Sequence, residues 1–274
     1  MSPDLVEHVL LTSDGVRISA ACFAGPMGAA DSMCFVVAHG FTGHWRQSRV
    51  KQVIARLQRR GSVVALDMRG HGRSGGESTV GEAEVHDVDA AVAWARTLGY
   101  RRVVTVGFSM GASVVIRQAA IGRESVEAVA CVSGPAYWYY RGTRVMRLVH
   151  HLVMTPHGRA AMRLRGTRIS SRGWPTPPPI QPRQAATLLG ETPLLIVHGT
   201  ADRYFPLEHP RALYRSAAEA GHPDATMWII PGFGHAEAAI DAVALDAIAD
   251  WGSGVRVAPM AAWRTEESMP EGRR

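Results

Sequence analysis

Short apolar runs alternate with amphipathic segments along most of the chain, and this alternation constrains the fold more than any other feature. The runs have the length and the Val-rich composition of buried strands, and they cover residues 33–38, 62–66, 102–106, 126–132, 194–197 and 226–230. Helical spacing follows between or after them, near residues 45–59, 84–98, 110–120, 207–220 and 237–251. This order predicts an α/β fold whose mostly parallel central sheet carries helices on both faces. Residues 7–24 alternate and turn at Asp14-Gly15, which predicts an N-terminal antiparallel hairpin.

Residues 135–190, called the insertion below, fit neither pattern. The insertion opens with four aromatic residues at 137–140, continues with an Arg-rich helical stretch, and closes with Trp174 and a Pro-rich connector. We interpret it as an excursion from the sheet. Residues 253–274 lose periodicity, which predicts a flexible tail. The predicted core therefore comprises residues 1–134 and 191–252.

Composition narrows the class of protein. Of the 274 residues, 46% are hydrophobic and 20% are charged, which supports a sizeable core and excludes global disorder. No apolar run is long enough for a transmembrane helix, and residues 1–8 lack the apolar region of a signal peptide. Cys22, Cys34 and Cys131 cannot all pair and sit in apolar runs, so we expect free buried thiols and a cytoplasmic location. No residue spacing suggests a metal site, and we expect no metal and no cofactor.

The formal net charge of +6 is distributed unevenly. Residues 128–190 contain nine arginines and no Asp or Glu, so the rest of the chain sums to −3. The arginines could form a solvated face, or they could attract an anionic substrate, an anionic membrane surface or an acidic carrier protein. The net negative charge of the rest of the chain and the absence of a nucleic-acid-binding motif argue against nucleic acid as a partner.

The strongest local signal is Gly107-Phe108-Ser109-Met110-Gly111, a G-x-S-x-G with a strand before it and a helix after it. This context is typical of a nucleophile elbow, in which a sharp turn projects the serine hydroxyl from the sheet. A serine hydroxyl needs a base and a group that orients the base. His235 lies in the glycine-flanked loop after the last strand, and Asp202 follows the preceding strand. The chain order Ser109, Asp202, His235 is that of α/β-hydrolases.

An acyl-transfer site also needs backbone donors for the oxyanion of its tetrahedral intermediate. The amide of Met110 directly follows the nucleophile at a helix N-terminus, and Phe41 lies in the loop after an early strand. We therefore expect the oxyanion hole at Phe41 and Met110.

The motifs HGFTG (39–43), DMRGHGRS (67–74), GFSMG (107–111), HGTAD (198–202) and GFGH (232–235) together resemble the α/β-hydrolase superfamily. The chain looks most like its lid-bearing serine hydrolases, the group of serine aminopeptidases and monoacylglycerol-lipase-like hydrolases. The resemblance implies the same triad and oxyanion hole, and it places the insertion where the family has its lid. A serine nucleophile is unlike the dehalogenase and epoxide-hydrolase branches, which use aspartate.

Several residues near these motifs carry secondary expectations. Tyr137 and Trp138 could line a substrate pocket or form a small core within the insertion. Asp67 and Arg69 are expected to hold a structural turn, His71 to have no catalytic role, and His39 to satisfy a neighbouring backbone group. An enzyme that binds the free amino group of a peptide needs a carboxylate near its site. The insertion contains no Asp or Glu that could serve, and nothing in the sequence indicates that Glu77 or Glu208 takes this role.

These observations predict a serine hydrolase that cleaves a carboxylic ester or thioester through an acyl-enzyme on Ser109. The substrate would be a small molecule, anionic or lipid-like. Other reactions on the same triad remain open, namely carbon–carbon bond hydrolysis, perhydrolysis, acyl transfer and peptide hydrolysis. A non-catalytic binding module is a more remote alternative.

Overall fold

The structure, a computed structural model, describes residues 5–26, 33–172, 175–254 and 263. One eight-stranded sheet has the order β1-β2-β4-β3-β5-β6-β7-β8. The strands are β1 Leu5–Leu11, β2 Arg17–Phe23, β3 Met33–Ala38, β4 Ser62–Leu66, β5 Arg102–Phe108, β6 Ala128–Val132, β7 Leu194–Gly199 and β8 Ala225–Ile230. β1 and β2 form an antiparallel hairpin, β2 pairs antiparallel with β4, and the strands from β4 to β8 pair in parallel. The predicted α/β architecture is confirmed.

Helices cover both faces of the sheet. They are α1 Ser48–Leu57, α2 Val85–Thr97, α3 Met110–Ile121, α4 Arg144–Met154, α5 Pro156–Leu164, α6 Pro182–Ala186, α7 Glu208–Glu219, α8 Ala236–Ala239 and α9 Ala242–Gly252. The prediction of one helix near residues 237–251 is wrong. The helix is interrupted because Asp241 is extended and its side chain accepts a hydrogen bond from Ala244 N at 2.8 Å, which caps a new helix.

The hydrophobic core lies on both sides of the sheet. Successive side chains of β3 illustrate this, because they point to opposite faces. Cys34 and Val36 belong to the apolar cluster that includes α2, α3, α6 and α7, whereas Phe35 and Val37 belong to the cluster on the other face, which includes α1 and α9. Each large apolar side chain buried in this way contributes about 1.5–3 kcal/mol. Two covered faces explain why the central strands are continuous apolar runs rather than alternating ones.

The insertion contributes α4, α5 and α6. Thr143 and Thr155 cap the first two helices by accepting from the amides of Met146 and Gly158. Helix α6 packs against α3 and α7, which are helices of the main domain. The backbone of Arg168 bonds to Gly70 O and Ser78 N, both at 2.8 Å, and so attaches the insertion to the loop after β4. A lid role for residues 135–190 stays a prediction, and its Trp174 lies outside the described residues.

Three other expectations concern the chain as a whole. Cys22, Cys34 and Cys131 are free and buried. No helix in the described part is both long and apolar enough to span a bilayer. Of the predicted tail, 253–274, only residues 253, 254 and 263 are described, and the ring of Trp263 packs 5.2 Å from that of Trp228.

Candidate active site

Ser109 lies on the sharp turn that joins β5 to α3. Its φ of 51° and ψ of −113° are strained for a residue with a side chain, and its amide bonds to Val132 O at 2.9 Å. A Cβ at Gly111 would overlap the carbonyl oxygen of Ala38, and a Cβ at Gly107 would overlap that of Gly111. Both glycines are therefore required because backbone passes directly against them.

Replacing Gly111 with alanine should test this close packing. We expect the free energy of unfolding to fall by about 2 kcal/mol or more, because backbone must shift to admit the methyl group. Urea denaturation measures the change. Gly75→Ala is the matched control, since the nearest atom to its Cβ is 3.3 Å away. Equal midpoints for the two variants would contradict the packing argument.

The structure brings together the three residues predicted for the triad. His235 Nε2 lies 2.8 Å from Ser109 Oγ, and His235 Nδ1 lies 2.7 Å from Asp202 Oδ2. Asp202 follows β7 and His235 follows β8, so adjacent parallel strands deliver both side chains to the edge where β5 presents the serine. The arrangement allows His235 to take the serine proton.

The ionisation of the Asp202 carboxyl determines which ring nitrogen of His235 carries the proton. Burial would raise the pKa of its carboxyl, but the hydrogen bond from His235 and the charges of His235 and His198 outweigh burial and hold that pKa below its usual value. An ionised carboxylate only accepts hydrogen bonds, so His235 carries its proton on Nδ1. His235 Nε2 is then free to accept from the serine hydroxyl.

Neighbours of Asp202 that the sequence did not single out hold the triad in place. Asp202 Oδ1 accepts from the amides of Tyr204 at 2.8 Å and Phe205 at 3.0 Å. The ring of Tyr204 stacks on His235 with centroids 4.0 Å apart. His198 is buried, which lowers its pKa, and its Nε2 lies 2.8 Å from Phe205 O. Only their proximity to Asp202 in the sequence could have indicated these residues.

The residues predicted to supply the oxyanion donors, Phe41 and Met110, border the same cavity as Ser109. Met110 N is in the first turn of α3, where amides have no acceptor within the helix. Phe41 lies in the loop 39–43, and hydrogen bonds of two buried histidines, His39 and His71, fix this loop. His39 accepts from Met68 N at 3.0 Å, and its Nδ1 lies 2.7 Å from Gly40 O, so its expected structural role is confirmed. His71 Nε2 accepts from Thr42 N at 3.2 Å, and burial lowers the pKa of both rings, that of His39 to about 3.

The turn at residues 67–74 has the structural role expected from the sequence. Asp67 accepts from the amides of Trp45 at 2.8 Å and Arg73 at 3.0 Å. Arg69 pairs with Asp14 and Asp87. These contacts join the turn to the hairpin, to the segment before α1 and to α2, and so fix the position of the loop that carries His71.

Glu237 also holds the loop, and no sequence signal pointed to it. Its Oε1 accepts from Gly40 N at 2.8 Å across 197 positions of the chain. We expect Glu237→Ala to lower kcat about 10-fold with little change in KM, less than the ~10²-fold that loss of an oxyanion donor costs. Glu237→Gln keeps an acceptor oxygen and should stay within about 3-fold of the wild type. Steady-state kinetics with one ester measures both, and equal losses would contradict a positioning role.

Comparison with known proteins identifies the family of the chain. A family model described as serine aminopeptidase, S33, matches residues 30–176, which is more than half of the chain. The chain belongs to this family. It is an α/β-fold serine hydrolase, and the resemblance of its motifs to the α/β-hydrolase superfamily is confirmed.

Solved structures show the same fold. The esterase Pf2001 of Pyrococcus furiosus is 23% identical, with 92% of this chain and 90% of that chain covered and a TM-score of 0.66. Est1E of Butyrivibrio proteoclasticus is 18% identical, with coverages of 90% and 96% and a TM-score of 0.59. XC6422 of Xanthomonas campestris, described as an α/β serine hydrolase without lid, is 19% identical, with coverages of 92% and 94% and a TM-score of 0.59.

A cavity of about 670 Å³ opens beside the serine of this hydrolase. Tyr137 and Trp138, the residues predicted to bind substrate, both border it, and so do apolar side chains of α4 and α5. Trp138 is fixed by a 3.0 Å hydrogen bond from its Nε1 to Ile180 O and by the guanidinium of Arg117 over its ring. Neither Glu77 nor Glu208 is among the lining residues, whereas Glu237 is. Within the described ranges, no group of His, Cys, Asp or Glu could hold a metal ion.

His209 lies beneath the aromatic wall of this cavity. It is fully buried, its Nδ1 accepts from Ala136 N at 3.0 Å, and the Tyr140 ring packs edge-on at 4.4 Å. Burial and the nearby charge of His198 lower the pKa of His209 to about 4. The ring is therefore neutral in the folded hydrolase at pH values where it is protonated in the unfolded chain.

This difference predicts a pH dependence of stability. Between pH 7 and pH 5 the unfolded chain binds a proton at this residue and the folded chain does not, so the free energy of unfolding should fall by about 2 kcal/mol from His209 alone. Urea denaturation of the wild type and of His209→Gln at both pH values isolates this contribution. The variant should lose about 2 kcal/mol less than the wild type over this interval. Equal losses would contradict the lowered pKa.

Proposed function

We propose that this serine hydrolase cleaves carboxylic esters or thioesters through an acyl-enzyme on Ser109. The observation that carries the proposal is the continuous hydrogen-bonded chain from Asp202 through His235 to Ser109, at the wall of a largely apolar cavity. A serine activated in this way is a nucleophile for acyl carbons.

In the first half of the reaction, His235 Nε2 takes the proton from Ser109 Oγ as the oxygen attacks the acyl carbon. The amides of Phe41 and Met110 bind the resulting oxyanion. The bond to the leaving oxygen or sulfur then breaks, and His235 returns its proton to the departing alcohol or thiol. In the second half, His235 deprotonates a water, which attacks the acyl carbon. The carboxylic acid leaves as Ser109 regains its proton.

The cavity indicates the kind of substrate. Tyr137, Trp138 and the apolar side chains of α4 and α5 favour a small molecule with an apolar acyl or aryl part. The nine arginines of the insertion form no ion pair among the described residues, which supports an anionic or lipid-like substrate. The same charges would suit an acidic carrier protein or an anionic membrane surface as partner. The cytoplasmic location stays a prediction.

A chain-length series of p-nitrophenyl esters from acetate to palmitate tests the reaction, together with labelling by a serine-directed phosphonate. We expect both hydrolysis and labelling, with an optimum chain length set by the cavity. Labelling without hydrolysis of any ester or thioester would replace ester cleavage with another reaction on the triad, such as carbon–carbon bond hydrolysis, perhydrolysis or acyl transfer. Absence of both would favour a non-catalytic binding module.

Peptide hydrolysis is the second candidate reaction, and the position of Glu237 supports it. Its carboxylate borders the cavity close to Ser109, where it could attract the free amino group of a peptide, and the family carries an aminopeptidase description. Its bond to Gly40 N already occupies one oxygen, so we rank ester cleavage first. Aminoacyl p-nitroanilides with free and acetylated amino groups distinguish the two candidates. A preference for the free amine over the matching ester would reverse the ranking.

A further inference from the structure

Two arginines border the same cavity as Ser109, and they come from separate parts of the chain. Arg49 is in the first turn of α1, and Arg165 directly follows α5. Both side chains are exposed at the cavity rather than buried in the core. The nucleophile and the two arginine side chains therefore border one cavity of about 670 Å³.

Neither guanidinium is neutralised by a carboxylate within the described residues. The one side-chain bond of Arg49 goes to the neutral amide of Gln52, at 3.3 Å. By contrast, Arg46 and Arg56, on either side of it in the sequence, pair with acids, Arg46 with Glu7 and Asp67 and Arg56 with Asp246.

Among the described residues that border the cavity, Glu237 supplies the only carboxylate. Glu237 accepts from Gly40 N, and His235 bonds to Asp202 and Ser109. The two guanidinium groups outnumber this carboxylate, so the charged side chains at the cavity together favour an anionic ligand. The rest of the cavity wall is largely apolar, with Phe41, Leu152 and Met162 among its residues.

We propose that Arg49 and Arg165 bind an anionic group, a carboxylate or a phosphate, at the end of the substrate remote from the cleaved bond. This inference rests on the proposed ester cleavage and names the substrate class: an ester or thioester whose apolar chain ends in an anion. A guanidinium presents a planar set of N–H donors that matches carboxylate and phosphate oxygens. The apolar wall holds the chain, and the two arginines select its charged end.

Matched substrates test the proposal in the full-length protein. The p-nitrophenyl monoester of suberic acid carries a terminal carboxylate, p-nitrophenyl 8-phosphonooxyoctanoate carries a phosphate, and p-nitrophenyl octanoate is the neutral reference. The variants are Arg49→Gln, Arg165→Gln and the double variant. Arg163→Gln is the matched control, because Arg163 is an exposed arginine of α5 that does not border the cavity.

We expect the double variant to lose about 10- to 100-fold in kcat/KM for an anionic ester, since each charge-assisted contact is worth roughly one factor of ten. The neutral ester should change less than about 3-fold, which also shows that the variant is folded. The larger loss, on carboxylate or on phosphate, identifies which anion is bound. Arg163→Gln should leave all ratios unchanged.

Two results would overturn the proposal. One is the same ratio of anionic to neutral kcat/KM in the wild type and the double variant. The other is a loss in Arg163→Gln as large as that in Arg165→Gln, which would show a diffuse field in place of a site. If neither ester series is hydrolysed and the phosphonate does not label Ser109, the proposed function itself has failed. Hydrolysis of the neutral ester without charge discrimination refutes the anion site alone.

Discussion

Replacing Ser109 with alanine should lower kcat/KM for a p-nitrophenyl ester by about 10⁴- to 10⁶-fold. The hydroxyl is the only group that could form the acyl bond at the elbow, and its Oγ is 2.8 Å from the base, His235 Nε2. The alanine variant keeps the oxyanion hole and the cavity, so a small residual activity over the uncatalysed rate should remain. Steady-state kinetics and loss of phosphonate labelling measure the effect.

The design of this experiment separates chemistry from folding. Ser125→Ala changes an exposed serine outside the cavity and should leave kcat/KM within about 2-fold. Alanine keeps the Cβ and so the same backbone strain at position 109, and the variant should unfold at about the same urea concentration as the wild type. A variant that is folded, unlabelled and still fully active would rule out Ser109 as the nucleophile.

The parts of this fold that were predictable from sequence are those that depend on local patterns. β3 and β4 have the predicted bounds, because strands buried on both faces are continuous apolar runs that end abruptly. The elbow was recognisable because its strand, turn and helix are consecutive. Asp202 and His235 followed from their positions after the last two strands, since parallel strands present their carboxyl ends at one edge.

The parts that were not predictable depend on contacts between distant segments. Glu237 is 197 positions from the amide of Gly40 that it binds, and no periodicity links the two. The acids weighed from the sequence were Glu77 and Glu208, and neither borders the cavity. Position in the sequence groups helix α6 with the insertion, yet this helix packs against α3 and α7. A helix of five residues shows too little periodicity to reveal its buried face.

The hydrogen bonds of Asp202 lead to a second large effect, because they determine how an asparagine would sit in its place. Oδ1 accepts from two backbone amides, of Tyr204 and Phe205, so this position requires an acceptor oxygen. The asparagine would keep its carbonyl oxygen there and turn its amide nitrogen, a donor, toward His235 Nδ1. His235 Nδ1 must then accept, and its proton moves to Nε2, where it faces the serine hydroxyl. The base is lost although no atom has moved far.

Asp202→Asn should therefore lower kcat by about 10³- to 10⁴-fold while KM changes little, because the substrate still finds the same cavity. The matched control is Asp224→Asn, an exposed aspartate on the loop before β8, which should leave kcat within about 2-fold. Kinetics on one ester measures both variants, and the urea midpoint shows that each is folded. If Asp202→Asn retained more than about a tenth of kcat, the carboxylate would not control the tautomer of His235 and the base would be oriented by its stacking on Tyr204 instead.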